Sequence, residues 1–124
     1  MTPKVTIIDY GSGNILSVTR AFEHCGATVS VATKAEEITL ADHVVLPGVG
    51  SFGDAVSRLH SNGMFEAAKN FTASGKPFLG ICLGMQLLLE KSEEAGNHKG
   101  LGIVAGKVLP IPNSYMNGRK LKIP

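Results

Sequence analysis

Apolar residues are spaced in two alternating ways along residues 4–90: short β-branched runs, and stretches that repeat every three or four positions. Val5-Thr6-Ile7-Ile8 ends at Asp9 and predicts a first parallel strand. Tyr10-Gly11-Ser12-Gly13-Asn14 turns the chain, with Asn14 placed to cap a helix. Ile15, Val18, Phe22 and Cys25 then recur at helical spacing and Gly26 closes the helix, so Cys25 is expected to face the core. Thr28–Val31 reads as a second strand, Lys34–Leu40 as a short helical turn, and His43–Leu46 as a third strand stopped by Pro47. After the glycine loop Gly48–Gly53, helical pieces are predicted over Asp54–His60 and Met64–Ser74, broken at Asn62-Gly63 and closed by Gly75. Phe78–Ile81 reads as a short buried strand, and an apolar helix follows it to about Glu90. Beyond Glu93-Glu94, Gly100–Val108 and Arg119–Ile123 read as an antiparallel hairpin around Asn117-Gly118.

Strands alternating with helices imply an α/β fold: an open, mainly parallel sheet with helices on both faces and a flavodoxin-like core, carrying an antiparallel C-terminal extension. Residues 1–124 form a single domain, with no internal repeat. In such sheets the functional crevice lies beyond the carboxyl ends of the strands. The loops Asp9–Asn14, Pro47–Gly53 and Ile81–Gly84 emerge there as candidate walls of one site.

Composition narrows the classes. With 44% apolar and 18% charged residues, the profile is that of a soluble globular chain. A net charge of +2 demands neither nucleic acid nor an anionic membrane as partner. No apolar run is long enough to cross a bilayer, and Met1–Val5 leads straight into a strand without a signal-peptide pattern. Two cysteines in unlike contexts make no disulfide framework, so a cytoplasmic protein with reduced thiols is expected.

The chemistry gathers at Gly80-Ile81-Cys82-Leu83-Gly84, which fits a strand–nucleophile–helix turn with cysteine in the nucleophile's place. Flanking glycines suit a turn where a Cβ would collide, and the dipole of the following helix would favour thiolate. The plain alternative is a buried structural thiol. Gly48-Val49-Gly50-Ser51-Phe52-Gly53 satisfies G-x-G-x-x-G, but the strand that follows has no acidic residue, which argues against a dinucleotide site. Its backbone N–H groups, with that of Leu83, suit an oxyanion hole; a simple tight connection is the alternative. A thiolate needs a base, and none of His24, His43, His60 and His98 has an evident place beside Cys82. Nor is their scatter that of metal ligands, so no metal and no cofactor is expected. Glu93 and Glu94 read as a solvated helix end or as a carboxylate for a substrate ammonium group. Arg119, Lys120 and Lys122 read as the charged face of an edge strand.

Four stretches in register, Ile8–Asn14 with Ser17-Val18, Leu46–Gly53, Gly80–Gln86, and Ser92–Glu94 with Gly100–Gly102, closely resemble the class I glutamine amidotransferases. Within that class the chain is similar to the glutaminase subunits of imidazole glycerol phosphate synthase, over essentially its whole length. The resemblance implies that Cys82 attacks the side-chain amide of L-glutamine, giving a thioester and ammonia. It places oxyanion donors at the backbone of Leu83 and of Gly48, Val49 and Gly50, and assigns Gln86 and Glu94 to glutamine binding. It further implies a heterodimer with a cyclase subunit of (β/α)₈ barrel fold, lying near the loops around Asn14. That cyclase makes imidazole glycerol phosphate and an aminoimidazole carboxamide ribotide in histidine biosynthesis.

One departure is large. The family's histidine and glutamate belong to a His-Pro-Glu motif beyond residue 124, which this sequence does not contain. The end at Lys122-Ile123-Pro124 reads as truncation of a domain of about 200 residues, with a naturally shortened relative as the alternative. Three rivals stand beside the main reading. They are an ammonia-supplying paralogue for surface-sugar amination, a non-catalytic partner-binding remnant, and an unrelated cysteine hydrolase, the last disfavoured by the three further motifs.

Overall fold

The β-branched runs become strands and the periodic stretches become helices. A computed structural model describes residues 2–113 and 115–123. In chain order the elements are β1 (Lys4–Ile8), α1 (Ile15–His24), β2 (Thr28–Ala32), α2 (Ala35–Thr39), β3 (Val44–Leu46), α3 (Phe52–Ser61), α4 (Met64–Ala73) and β4 (Phe78–Gly80). They continue with α5 (Leu83–Gln86), β5 (Leu89–Ser92), β6 (His98–Lys99), β7 (Val104–Val108), β8 (Tyr115–Met116) and β9 (Arg119–Lys120).

Four strands form one parallel sheet in the order β2-β1-β3-β4, with Ile7 opposite both Val31 and Val45, and Val45 opposite Leu79. Alternation along each strand sends Ile8, Val44 and Leu46 to one face and Val5, Ile7 and Val45 to the other. The first face packs with Ile38, Leu59, Met64, Ala68 and Phe71 from α2, α3 and α4. The second meets Ile15, Val18 and Phe22 of α1. Each fully buried Ile or Leu contributes about 2 kcal/mol, so the larger cluster sets most of the fold's stability. The expected α/β architecture with helices on both faces is what forms.

Helix boundaries follow local chemistry. Asn14 Oδ1 accepts from Ser17 N at 3.1 Å, and Ser51 Oγ accepts from Asp54 N at 3.3 Å, capping α1 and α3. Gly63, at φ +75°, breaks α3 from α4 as expected. Cys25, however, is exposed rather than core-facing. The helix ends at His24, so Cys25 is a terminal cap whose N–H returns to Ala21 and Phe22, and the spacing no longer governs its side chain.

Three further expectations are corrected. The helix after Cys82 stops at Gln86 instead of reaching Glu90, and Leu89–Ser92 is a strand. The Leu87, Leu88 and Leu89 carbonyls accept from Leu101, Ile103, Val104 and Gly102, which leaves them unavailable to a continuing helix. Glu93 and Glu94 therefore follow a strand. Second, Gly100–Val108 and Arg119–Ile123 do not pair with each other. The two-residue turn Asn117-Gly118, both at positive φ, joins only β8 to β9, while β7 pairs parallel with β5 in a sheet ordered β6-β5-β7. Third, β4 is not buried: Leu79 is exposed and its neighbours are half-buried. Among the described residues, no helix is long and apolar enough to cross a membrane.

Candidate active site

At the carboxyl end of β4 the chain makes a tight turn, Ile81–Gly84, closed by Gly84 N–H donating to Ile81 O at 2.9 Å. Cys82 sits in it at φ 57°, ψ −120°, the first central position of a type II′ turn, which favours glycine. An exposed cysteine held in glycine's conformation is stored strain, of the kind that gathers at functional sites. The sequence pattern G-x-C-x-G now has a steric cause. A Cβ on Gly80 would meet Gly84 O at 2.7 Å and Met85 N at 2.8 Å. One on Gly84 would run into the Leu46 carbonyl oxygen. The helix behind Cys82 has four residues, so its dipole is much smaller than a longer helix would supply.

The glycine loop is held against this turn. Tyr10 Oη donates to Pro47 O at 2.8 Å, and Ser12 Oγ donates to Val49 O at 2.7 Å. A Cβ on Gly48 would lie 2.5 Å from Tyr10 Oη and 3.1 Å from both Gly84 N and Leu83 Cβ. Only glycine lets the loop approach so closely. Among the described residues no acceptor takes the N–H of Gly48, Gly50 or Leu83, whereas Val49 N–H donates to Ser12 Oγ at 3.1 Å. Of the expected oxyanion donors, Val49 alone is engaged elsewhere. The first two loops, with Asp54 and Arg58, line a cavity of about 340 Å³ that does not include Cys82. Arg58 steadies its rim by donating to Gly11 O at 3.0 Å.

Burial raises the Tyr10 phenol above its ordinary value of 10.0. The unfolded chain loses that proton first as pH rises through about 10, while the folded chain keeps it. Tyr10 therefore lowers stability with rising pH above about 10 and leaves it flat below. Tyr10→Phe should cost about 1 kcal/mol at neutral pH, through the lost bond to Pro47, and remove that alkaline component. Urea titrations of both proteins from pH 7 to 11 would check it.

Sequence neighbours of the turn divide into free and engaged groups. Glu93 pairs with Lys107 at 3.1 Å and Lys91 at 3.4 Å, and the Lys107 ammonium holds its carboxyl below the usual range. Glu94 is exposed and makes no ion pair among the described residues; its N–H donates to the buried Ser92 hydroxyl at 3.2 Å. Gln86 is half-buried at the end of α5. Three of the four histidines are occupied elsewhere. His43 Nδ1 bonds Lys4 O at 2.8 Å at the far end of the sheet, and His60 stacks on Phe65 at 4.0 Å. His98 lies over Gly53 and bonds Ala95 O at 3.1 Å, and His24 ends α1. No group of metal-ligating side chains is clustered among the described residues.

The order of the loops and the cysteine turn can be compared with known proteins. A sequence pattern described as "Glutamine amidotransferase class-I" matches residues 6–122. The chain belongs to this family. Among its relatives, imidazole glycerol phosphate synthase subunit HisH 1 of Legionella pneumophila (strain Lens) is 52% identical, over 97% of this chain and 56% of its own. The HisH subunit of Sulfurimonas denitrificans is 48% identical, over 97% of this chain and 58% of its own. The chain thus spans little more than half the length of these curated relatives. A crystal structure of a Listeria monocytogenes protein named for peptidase E shares the fold, with TM-score 0.65 at 18% identity over 82% of this chain and 63% of the other. As an amidotransferase-family domain, the chain joins a strained cysteine to a glycine loop. Tyr10 is the residue that sequence reasoning passed over: as one letter in a turn, it carries no sign that its hydroxyl fastens Pro47.

Proposed function

We propose that this chain carries the nucleophile half of a glutaminase serving an imidazole glycerol phosphate synthase. The observation that supports it is Cys82, exposed and strained at the turn against which the glycine loop packs. Cys82 Sγ, as thiolate, attacks the side-chain carbonyl carbon of L-glutamine, and the carbonyl electron pair moves onto oxygen. The oxyanion accepts from Leu83 N–H and from Gly48 or Gly50; donation by Val49 requires its N–H to leave Ser12. Collapse expels the amide nitrogen as ammonia once a general acid protonates it, leaving a glutamyl thioester that water cleaves to glutamate. Gln86 and Glu94 are the substrate-binding groups, with the exposed Glu94 suited to the substrate ammonium.

The acid–base group comes from outside residues 1–124, since His43, His60 and His98 are engaged elsewhere and His24 stands at the end of α1. Ammonia passes to a cyclase subunit of (β/α)₈ fold, which docks near the loops around Asn14 in the cytoplasm and forms imidazole glycerol phosphate. The names of the relatives support this acceptor over surface-sugar amination.

A glutamine analogue bearing an electrophile at its δ-carbon separates the two exposed thiols. Peptide mass spectrometry should find one adduct, on Cys82, suppressed by excess glutamine. The 124-residue chain alone should show negligible steady-state ammonia release. Equal labelling of Cys25, or labelling indifferent to glutamine, would overturn the site.

A further inference from the structure

Among the described residues, three that are not glycine take a positive φ: Cys82 at 57°, Ala95 at 54° and Asn117 at 53°. Asn117 heads a hairpin turn and is a residue type that tolerates this backbone. Ala95 has no such excuse, and its conformation persists only where the surroundings impose it. It directly follows Glu94, in the turn 93–97 that joins β5 to β6 where Ser92 pairs with His98. The near limb of that turn is fixed by backbone. Glu93 N–H donates to Val108 O at 2.9 Å, and Glu94 N–H donates to the fully buried Ser92 hydroxyl at 3.2 Å. On the far limb the holding group is His98. Its Nε2 lies 3.1 Å from Ala95 O, and because a carbonyl only accepts, that nitrogen carries the ring proton and donates it. The same ring is laid on Gly53, in the first turn of α3. A Cβ at Gly53 would meet Cε1 at 2.7 Å, Nε2 at 2.8 Å and Nδ1 at 3.0 Å. Gly53 is helical and has no positive φ, so the last glycine of the G-x-G-x-x-G stretch answers to this ring.

We propose that His98 is a positioning residue for glutamine: it ties the turn that carries Glu94 to the start of α3, directly after the oxyanion loop. The inference rests on the reading of Glu94 as the partner of the substrate ammonium. Glu94 is exposed and makes no ion pair among the described residues, so its place is set by backbone. A carboxylate on a loose turn must be ordered when substrate binds, whereas one on a pinned turn is already in position. The effect of His98 therefore falls on glutamine binding and not on the reactivity of Cys82 Sγ.

The test follows labelling of the chain by the δ-electrophilic glutamine analogue over a range of concentrations. Iodoacetamide serves as a thiol reagent with no glutamine-like groups. His98→Leu should raise the analogue's half-saturating concentration about tenfold, with the maximal labelling rate and the iodoacetamide rate at Cys82 changed less than about twofold. His98→Gln, whose amide can still donate to Ala95 O, should recover most of the loss. Gly53→Ala should match His98→Leu by displacing the ring. Its melting temperature should not fall, because alanine is favoured over glycine within a helix. Glu94→Gln should weaken saturation at least about tenfold, and adding His98→Leu to it should change little more, because His98 acts through Glu94. No effect of Glu94→Gln would overturn the glutamine-binding reading and the inference with it. With Glu94→Gln weakened, the role of His98 alone would fall on any of three results. These are unchanged saturation in His98→Leu or Gly53→Ala, additive losses in the double variant, and a loss confined to the maximal rate.

Discussion

Gly84→Ala is expected to lower the stability of the domain by about 3 kcal/mol or more, enough to leave much of it unfolded at moderate urea. The added methyl would enter the Leu46 carbonyl oxygen, with Leu46 C at 2.7 Å and Pro47 C at 3.2 Å. All three atoms are backbone, in the third strand of the sheet and its exit, so no side chain can swing aside. Gly26→Ala is the matched control. Gly26 has positive φ, at 92°, which Gly84 has not, and nothing lies within 4 Å of its missing Cβ. Its cost should be the left-handed backbone penalty alone, about 1–2 kcal/mol. Urea midpoints with unchanged slopes would measure both, and equal losses at the two glycines would contradict the close packing of the turn on β3.

Replacing Cys82 separates chemistry from conformation. Its φ of 57° and ψ of −120° are comfortable for glycine and strained for any other residue. Cys82→Gly removes strain of about 1–3 kcal/mol while adding unfolded-state freedom of about 0.5–1 kcal/mol. The net expectation is a gain of about 1 kcal/mol. Cys82→Ala keeps the strain and should change stability little, because the thiol is exposed. Both variants, in a protein completed with the C-terminal segment of a relative, should lose glutamine hydrolysis by about 10⁴-fold or more. Loss of activity in both variants, with a gain in stability only in Cys82→Gly, would identify Cys82 as a nucleophile held at a structural cost. Retained turnover in Cys82→Ala would end the thioester mechanism, and a destabilised Cys82→Gly would end the strain argument.

Much of the parallel sheet was legible because its strands are bounded by hard stops. Asp9, Pro47 and the Asn62-Gly63 break sit where the hydrophobic pattern changes period, and the structure changes element at each. The cysteine turn was legible for a different reason. Gly80 is required by a local collision with Gly84 and Met85, while Gly84 is required by its packing on Leu46 and Pro47, and both stand within five residues of sequence. Reading failed where a segment's fate depended on a distant partner. Leu87-Leu88-Leu89 has helical composition, yet its carbonyls are taken by Leu101–Val104. Asn117-Gly118 announced a hairpin correctly, but the length of that hairpin was decided by β5 drawing β7 away.

The sequence alone determined the alternation of strands and helices over residues 4–86 and the tight turn Gly80–Gly84 with Cys82 at its head, because these follow from periodicity and local sterics. Only the tertiary structure decided that Tyr10 and Ser12 fasten the glycine loop beside that cysteine and that, among the described residues, Glu93 is tied to lysines while Glu94 makes no ion pair and β4 keeps an open edge. Those facts depend on residues far apart in the chain meeting in space, and no local pattern encodes which of several possible partners arrives first.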